Sequence, residues 1–279
     1  MSFKFRFLGT GTSVGVPQIG CSCPVCTSSD PRDKRRRCGA YVSSDEGAFL
    51  IDTPPEMREA CIQYGINKVD AVLLTHAHID HVAGFDDVRR FNTINGTRVE
   101  CDPDSPGAFG RVSRIIGKPM NCYALPETIE AMRRIFPYIS AKGGTNGLYR
   151  PQIEFVDNSK PFDVCGLRVE SVRVEHGFPC CGYIISDGLK RLAYISDCHD
   201  IGEAEIERLK GVDVMVLNCL REREHATHLS LARALYFLEK ISPKKAYLTH
   251  MCHDFTHAQW LAKLPDGVEP GYDGLEELL

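Results

Sequence analysis

The segment from Thr75 to His81, Thr-His-Ala-His-Ile-Asp-His, concentrates residue types that bind divalent cations in proteins. It directly follows a short apolar strand. Because alternate side chains of an extended chain point the same way, His76 and His78 can converge on one cation. Asp80 and His81, where the chain turns into a helix, face a second cation. The spacing therefore predicts a site for two metal ions.

Two cations need more ligands than one loop offers, and later strand ends supply further candidates. His176, Asp197 and His250 each follow a predicted strand. Functional side chains of layered sheet folds collect at strand ends. We therefore expect these three side chains to join the histidine-rich loop.

A second candidate metal site is the Cys-x-Cys-x-x-Cys motif of Cys21, Cys23 and Cys26. Three thiolates leave one position of a tetrahedral zinc ion open, and by chemistry alone Cys38 or Cys252 could fill it. The alternative is that the three cysteines are only small loop residues. A redox motif is less favoured, because no simple Cys-x-x-Cys opens a helix.

The composition is that of a folded globular protein. The chain has 279 residues, of which 43% are hydrophobic and 25% charged, and this excludes collagen-like, coiled-coil and disordered classes. Its length suits one domain over residues 1–279. The formal net charge of −4 supplies no overall attraction for nucleic acid or an anionic membrane.

The first residues, Met1 to Leu8, alternate apolar and charged side chains, which predicts a strand and not a secretory signal. No stretch approaches the roughly 18 consecutive apolar residues of a membrane-spanning helix. We therefore expect a cytoplasmic protein whose 13 cysteines are reduced.

Predicted strands and helices alternate along the chain, which indicates an α/β fold of two packed mixed sheets with helices outside. The segment 92–118 is predicted to be a loop. Asp200 and Glu203 are interpreted as a capping pair before a helix. The basic run Arg32–Arg37 is interpreted as solvated surface charge. Gly9-Thr10-Gly11 is interpreted as a turn, because Pro17 and Gly20 follow where a phosphate-binding helix should begin.

The histidine-rich loop and the later His, Asp and His occur in the order seen in the metallo-β-lactamase superfamily of binuclear metallohydrolases, which the sequence resembles. The resemblance implies an αββα sandwich. It also implies a division of the ligands: His76, His78 and His176 for the first metal, Asp80, His81 and His250 for the second, and Asp197 bridging both. Asp52 matches an acidic position near the site in many members and is expected to support the ligands.

A narrower resemblance is to the PhnP-like cyclic-phosphate phosphodiesterases of phosphonate pathways. It is based on the segments 9–11, 15–17, 20–26, 248–253 and 271–274, which look like the signatures of that family. The resemblance assigns His253 as the fourth ligand of a structural zinc, held in a cysteine-rich loop at about 20–38. The segment at about 92–118 looks longer than expected for that family and is interpreted as an insertion.

The resemblance implies a metal-dependent phosphoric diester hydrolase that acts on a small, cyclic phosphate ester through a hydroxide bridging two cations. Either Mn²⁺ or Zn²⁺ suits the ligand set, and the structural zinc makes a third metal. Asp80, Asp197 and His228 are the expected catalytic residues. His228 is the best match to a non-ligand histidine that assists the leaving group, with His225 as the alternative; His199 is interpreted as a loop residue.

Three other functions remain as alternatives. A tRNA 3′-processing endoribonuclease shares the ligand set, but we find no segment rich enough in Gly and basic residues to be its RNA-binding arm. A thioester or lactone hydrolase could use the same centre. A non-catalytic carrier like the pyrroloquinoline-quinone (PQQ) biosynthesis protein B shares the cysteine signature. The expected partner is a small phosphodiester, without membrane or nucleic acid; a homodimer is left open.

Overall fold

The computed structural model describes residues 2–100, 113–139 and 151–279. The strands are β1 (Phe3–Gly9), β2 (Gly39–Ser44), β3 (Ala48–Ile51), β4 (Ala71–Leu73), β5 (Thr97–Glu100), β6 (Ser113–Ile116), β7 (Met120–Ala124), β8 (Ile153–Asp157), β9 (Phe162–Val164), β10 (Leu167–Val174), β11 (Cys180–Ser186), β12 (Arg191–Ile195), β13 (Val214–Asn218), β14 (Lys245–Thr249), β15 (Val268–Pro270) and β16 (Glu276–Leu278). The helices are α1 (Met57–Gln63), α2 (Ile79–Val82), α3 (Arg89–Ile94), α4 (Pro126–Ile135), α5 (Glu203–Leu209), α6 (Leu231–Ile241) and α7 (His257–Leu261).

Most strands belong to two seven-stranded sheets. The first has the order β16-β1-β2-β3-β4-β7-β8 and the second the order β15-β14-β13-β12-β11-β10-β9. In each sheet an antiparallel part, made of β16, β1, β2 and β3 or of β9 to β12, continues into a parallel part. The predicted architecture of two mixed sheets is thereby confirmed.

The inner faces of the two sheets form a shared apolar core. Phe3, Phe5 and Phe7 of β1 point into it, as the alternation of the first residues predicts, and the rings of Phe7 and Tyr247 meet edge to face at 5.8 Å. Burying each such phenylalanine contributes about 1.5–3 kcal/mol. Separate apolar clusters join the outer face of the second sheet to α5 and α6, and that of the first sheet to α1 and α4.

The segment 92–118 is only partly a loop, which corrects the prediction. It begins in the last turns of α3 and contains the hairpin strands β5 and β6, which pair antiparallel from Thr97↔Ile116 to Glu100↔Ser113. Residues 101–112 of the predicted insertion lie outside the described residues. Two-residue periodicity over four residues is too short a signal to predict such a hairpin from sequence.

The predicted capping pair before α5 is also wrong. Gly202 is the N-cap, and no side chain caps this helix. Asp200 lies two residues before the N-cap Gly202. Its side chain accepts hydrogen bonds from the backbone N–H of Ile201 and from Arg233 on α6. The Asp200 carboxylate therefore forms an ion pair with Arg233 of α6 and does not cap α5.

Two residues of the basic run 32–37, Asp33 and Arg35, are buried and not solvated. Arg35 is 2% exposed, and its Nη1 donates to Thr10 Oγ1 and to the carbonyl of Gly271. Gly11 packs so closely on this segment that a Cβ would come within 2.7 Å of Arg35 O. The Gly-Thr-Gly turn thus lets the backbone at Gly11 pack closely against that of Arg35. This agrees with the interpretation that the turn is not a nucleotide-binding loop.

No helix in the three described ranges combines the length and apolar character needed to cross a bilayer. Every cysteine in those ranges is a free thiol.

Candidate metal centres

The side chains predicted to bind metals come together at one end of the two sheets. His76 and His78 follow β4. Asp80 and His81 lie in α2, whose N-cap is His78. The three further candidates each follow a strand of the second sheet, as predicted: His176 after β10, Asp197 after β12 and His250 after β14.

Three histidines present nitrogen atoms to one point. His76 Nε2 lies 2.9 Å from His78 Nδ1, and His176 Nε2 lies 3.3 Å from the same atom. Three nitrogens at such spacing form one face of a cation's coordination sphere. This is the set that the sequence resemblance assigns to the first metal.

A second set adjoins the first. His81 Nε2 lies 3.3 Å from Asp80 Oδ2, and the rings of His81 and His250 are stacked with their centroids 5.9 Å apart. Candidate donor atoms of these three residues all lie within 4.8 Å of one another. The set is the one assigned to the second metal.

Asp197 lies between the two sets. Its Oδ2 is 3.0 Å from His81 Nε2, and its Oδ1 is 3.7 Å from His176 Nε2 and 3.5 Å from His250 Nε2. One carboxylate thus reaches donor atoms of both groups, which is the position a bridging ligand requires. Burial opposes the charge of Asp197, but the neighbouring His250 and His81 lower its pKa well below the usual value.

Hydrogen bonds behind the site turn the histidines toward its centre. Asp52 Oδ2 lies 2.7 Å from His81 Nδ1 and accepts a hydrogen bond from Thr75 Oγ1, which in turn lies 3.0 Å from His76 Nδ1. His176 Nδ1 lies 2.8 Å from the carbonyl oxygen of Thr227. Since the outer nitrogens are occupied, the Nε2 lone pairs of these three histidines face inward, as metal ligands require.

Several polar atoms of this site are buried without a hydrogen-bond partner. They include both ring nitrogens of His250, and also His81 Nε2 and Asp197 Oδ2, which lie 3.0 Å apart but form no hydrogen bond with one another. A buried polar atom without a partner is costly. Bound cations would satisfy these atoms, so the donor set fits the two divalent ions that the resemblance implies.

Two site residues also hold strained backbone conformations. Asp52 has φ 62° and His250 has φ 61°, in the left-handed region that non-glycine residues rarely occupy. Each such residue costs about 1–3 kcal/mol, and such strain clusters at functional sites. The fold maintains both conformations where they direct a side chain at the candidate centre.

The two candidate histidines for the leaving group differ in position. His228 is mostly buried, and its Nδ1 lies 3.7 Å from Asp197 Oδ1. Burial and the neighbouring His250 lower its pKa to about 3, so the ring is neutral near pH 7. His225 lies farther out, with its ring centroid 5.2 Å from that of His228, and its Nδ1 accepts a hydrogen bond from Thr227 N.

The mouth of the site carries an apolar side chain that sequence reasoning missed. The Phe178 ring is 40% exposed and lies 5.1 Å from the ring of His78. The preceding Gly177 has φ +77°, a conformation that a glycine adopts without strain and that turns the chain after His176. Ile79, 59% exposed, follows His78 directly. One flank of the entrance is therefore apolar.

The cysteine motif forms a separate cluster with His253. The Sγ atoms of Cys21, Cys23 and Cys26 lie 3.4, 3.6 and 3.3 Å from His253 Nδ1. A tetrahedral zinc ion with bonds of about 2.0–2.3 Å spaces its ligands by roughly 3.5 Å. The four side chains therefore fit one zinc ion.

The other thiols considered for this site lie elsewhere. Cys38 Sγ donates toward the carbonyl of Gly11, and neither Cys38 nor Cys252 belongs to the cluster. The backbone N–H of Cys26 donates to Cys23 Sγ and lowers the pKa of Cys23 to about 6. This hydrogen bond favours the thiolate form of Cys23, which is the form that binds zinc.

We expect Cys23→Ser and His253→Ala to lower the zinc content and the melting temperature. The loop is rich in Gly, Pro and polar residues, so it needs an external constraint. Because His253 follows His250 by three residues, the loss should also weaken catalysis. Elemental analysis and thermal unfolding measure the effect, with Cys165→Ser as a control for a partly exposed cysteine outside the cluster. Unchanged zinc content and stability in Cys23→Ser would contradict it.

The family of the chain follows from a comparison with models of known protein families. Residues 48–251 match the model of the beta-lactamase superfamily domain. The chain belongs to this superfamily. The resemblance stated from the His and Asp motifs is thereby confirmed.

The chain is similar to proteins that are named for different functions. An octanoyltransferase of Porphyromonas gingivalis is 35% identical over 276 residues, covering 98% of this chain, but the chain spans only 51% of that protein's length. A coenzyme PQQ synthesis protein B of Methylorubrum populi is 27% identical, with 76% of this chain and 71% of the relative covered.

Among solved structures, a diphosphatase from the PhnP family superposes with a TM-score of 0.84 and 34% identity, covering 100% of this chain and 98% of the other. The chain thus has the metallo-β-lactamase fold and is similar to a PhnP-family diphosphatase. The ligand roles of its individual side chains stay predictions.

Proposed function

We propose that the protein is a binuclear metal-dependent phosphodiesterase that hydrolyses small, cyclic phosphate esters. The observation that carries this proposal is the position of Asp197, whose two carboxylate oxygens reach histidines of both candidate metal sets. Its full-length similarity to a PhnP-family diphosphatase supports a phosphoryl substrate. The Asp at this position, in place of the cysteine of some lactam hydrolases, favours phosphoester over lactam hydrolysis.

The residues of the chain divide the work between metal binding and the leaving group. Two divalent cations in this site would lower the pKa of a coordinated water molecule and neutralise charge on the phosphoryl oxygens. Asp52 and the carbonyl of Thr227 hold His81 and His176 in orientation. His228, close to Asp197 but bound to the fold by other contacts, is placed to donate a hydrogen bond to the departing oxygen.

The proposal is tested with protein loaded with Mn²⁺ or Zn²⁺. The first substrate is bis-p-nitrophenyl phosphate, followed by a screen of cyclic ribose and nucleotide phosphates. We expect hydrolysis that disappears on chelation and returns with added metal. Hydrolysis of a thioester or lactone, with no phosphodiester cleaved, would contradict the proposal. If fully metal-loaded protein hydrolyses none of these substrates, the result would favour a carrier function like that considered for the PQQ biosynthesis relatives.

A second candidate is hydrolysis of a diphosphate linkage. The similar PhnP-family structure is that of a diphosphatase, which favours this reaction as the second candidate. The same residues could serve either reaction, because two bound cations would neutralise charge on a phosphoryl group in both, and both reactions release an oxygen leaving group. A dinucleoside diphosphate in the same screen separates the two, since the phosphodiesterase proposal requires faster turnover of the cyclic esters.

We expect precursor tRNA to remain intact under conditions where small cyclic phosphodiesters are hydrolysed. The chain carries a net charge of −4, and binding to RNA phosphates depends on clustered basic residues. Gel analysis of labelled tRNA precursors with catalytic amounts of protein measures this, and the chelated protein is the control. Specific cleavage at the 3′ end would favour the processing endoribonuclease instead.

A further inference from the structure

Asn218, the last residue of β13, is a buried amide beside the candidate site. Its side chain is fully buried, and its Oδ1 accepts a hydrogen bond from the backbone N–H of Leu229 at 2.8 Å. Its Nδ2 donates to the carbonyl oxygen of Ser196 at 2.7 Å. A backbone donor on one side and a backbone acceptor on the other leave only one orientation of the amide.

The second hydrogen of this amide is directed at His228. Asn218 Nδ2 lies 3.3 Å from His228 Nδ1. Because Nδ2 can only donate, His228 Nδ1 must accept, and the single proton of the neutral ring then resides on Nε2. We propose that Asn218 is a positioning residue that holds His228 in the Nε2–H tautomer.

Among the residues that the structure describes, Asn218 is the hydrogen-bond partner of His228 Nδ1. Asp197 Oδ1 lies 3.7 Å away, beyond hydrogen-bond distance, and faces the candidate metal ligands. With the proton on Nδ1, two donors would face each other in a buried space. The amide therefore selects the tautomer that turns an N–H away from Asn218.

The backbone around Asn218 maintains this geometry. Asn218 pairs with Thr249 of β14, directly before the ligand His250, and Leu220 N donates to the carbonyl of Leu229. Leu229 N, which fixes the amide, belongs to the residue after His228. The same strand end thus positions both the imidazole and the group that sets its proton.

This inference rests on the proposed function, in which His228 donates a hydrogen bond to the leaving oxygen. The Nε2–H tautomer supplies a donor at the ring nitrogen that the amide leaves free. The Nδ1–H tautomer would present an acceptor there, which does not stabilise an oxygen that gains negative charge. Asn218 would act on the reaction only through His228.

The tautomer is read directly by ¹⁵N NMR of histidine-labelled, zinc-loaded protein, with the His228 signals identified by their loss in His228→Gln. We expect a protonated Nε2 and an unprotonated Nδ1. In Asn218→Asp, a carboxylate replaces the donor and should draw the proton to Nδ1. In Asn218→Leu neither atom is favoured, so the tautomers should mix. A protonated Nδ1 in the unaltered protein would overturn the inference.

Kinetics supply the second measurement. Asn218→Asp and Asn218→Leu should lower kcat by about 10-fold or more on esters with alkoxide leaving groups, with KM and metal content nearly unchanged. The loss on p-nitrophenyl esters should be much smaller. Equal losses on both classes, at normal metal content, would show a structural role only and contradict the inference.

Asn92→Asp is the matched control. Asn92 is also buried, donates through Nδ2 to the carbonyls of Lys118 and Gln152, and accepts from Gln152 N, with no histidine among these partners. This variant measures how much a buried Asn→Asp change lowers stability and turnover when no histidine is involved. If the NMR result holds but no phosphoester is hydrolysed, the proposed function fails while the tautomer assignment stands.

Discussion

Asp197→Ala should lose turnover by orders of magnitude and at least one of the two catalytic cations. The variant removes the carboxylate that lies 3.0 Å from His81 Nε2 and 3.5 Å from His250 Nε2. Two-metal hydrolysis needs cations held about 3.5–4 Å apart, and a shared carboxylate maintains that spacing. Elemental analysis and steady-state kinetics on a small phosphodiester measure the two losses.

The fold should survive this change. The side chain of Asp197 is directed at the candidate ligands His81 and His250 and is not part of the apolar core between the sheets, so its loss should leave that core packed. Unfolding followed by circular dichroism should therefore remain cooperative. Asp200→Ala is the control, because that carboxylate lies in the same loop but forms a surface ion pair with Arg233. Near-normal turnover of Asp197→Ala with two bound catalytic metals would contradict the bridging role.

The positions of the main candidate ligands could be predicted because each has a local signal. His76 and His78 alternate on an extended segment, and His250 directly follows a short apolar strand. Strand ends in such sheets collect at one edge, so local reasoning places the side chains near one another. The pairing of the cysteine loop with His253 bridges more than 220 residues, and only the family resemblance could supply it.

Other features leave no local signal. β9, β15 and β16 have three residues each, too few for a periodic pattern. The burial of Arg35 depends on the distant carbonyl of Gly271. A lone Asn such as Asn218 has no motif, since its role depends on three partners in other segments. Tertiary hydrogen bonds of this kind are specified by the fold and not by the neighbouring sequence.

His228→Ala should retain both catalytic metals and lose about 10²–10⁴-fold in rate on substrates with poor leaving groups. The loss on p-nitrophenyl esters should be much smaller, because p-nitrophenolate departs without a proton. His228 is the histidine whose Nδ1 lies 3.3 Å from Asn218 Nδ2, so its Nε2 is the ring nitrogen left free to donate a proton. Paired kinetics on an alkyl and a p-nitrophenyl diester, with metal analysis, measure the difference.

Two outcomes would reassign the residue. His176, Asp197 and His228 also hold donor atoms within 4.8 Å of one another, so loss of a catalytic metal in His228→Ala would make His228 a ligand. His225→Ala is the internal control: His225 is more exposed and its Nδ1 accepts from Thr227 N, so we expect nearly full activity. A loss in His225→Ala that depends on the leaving group, with His228→Ala unaffected, would move the role to His225. The contrast between these two neighbouring histidines thus tests whether burial beside Asp197 and the hydrogen bond from Asn218 select the catalytic ring.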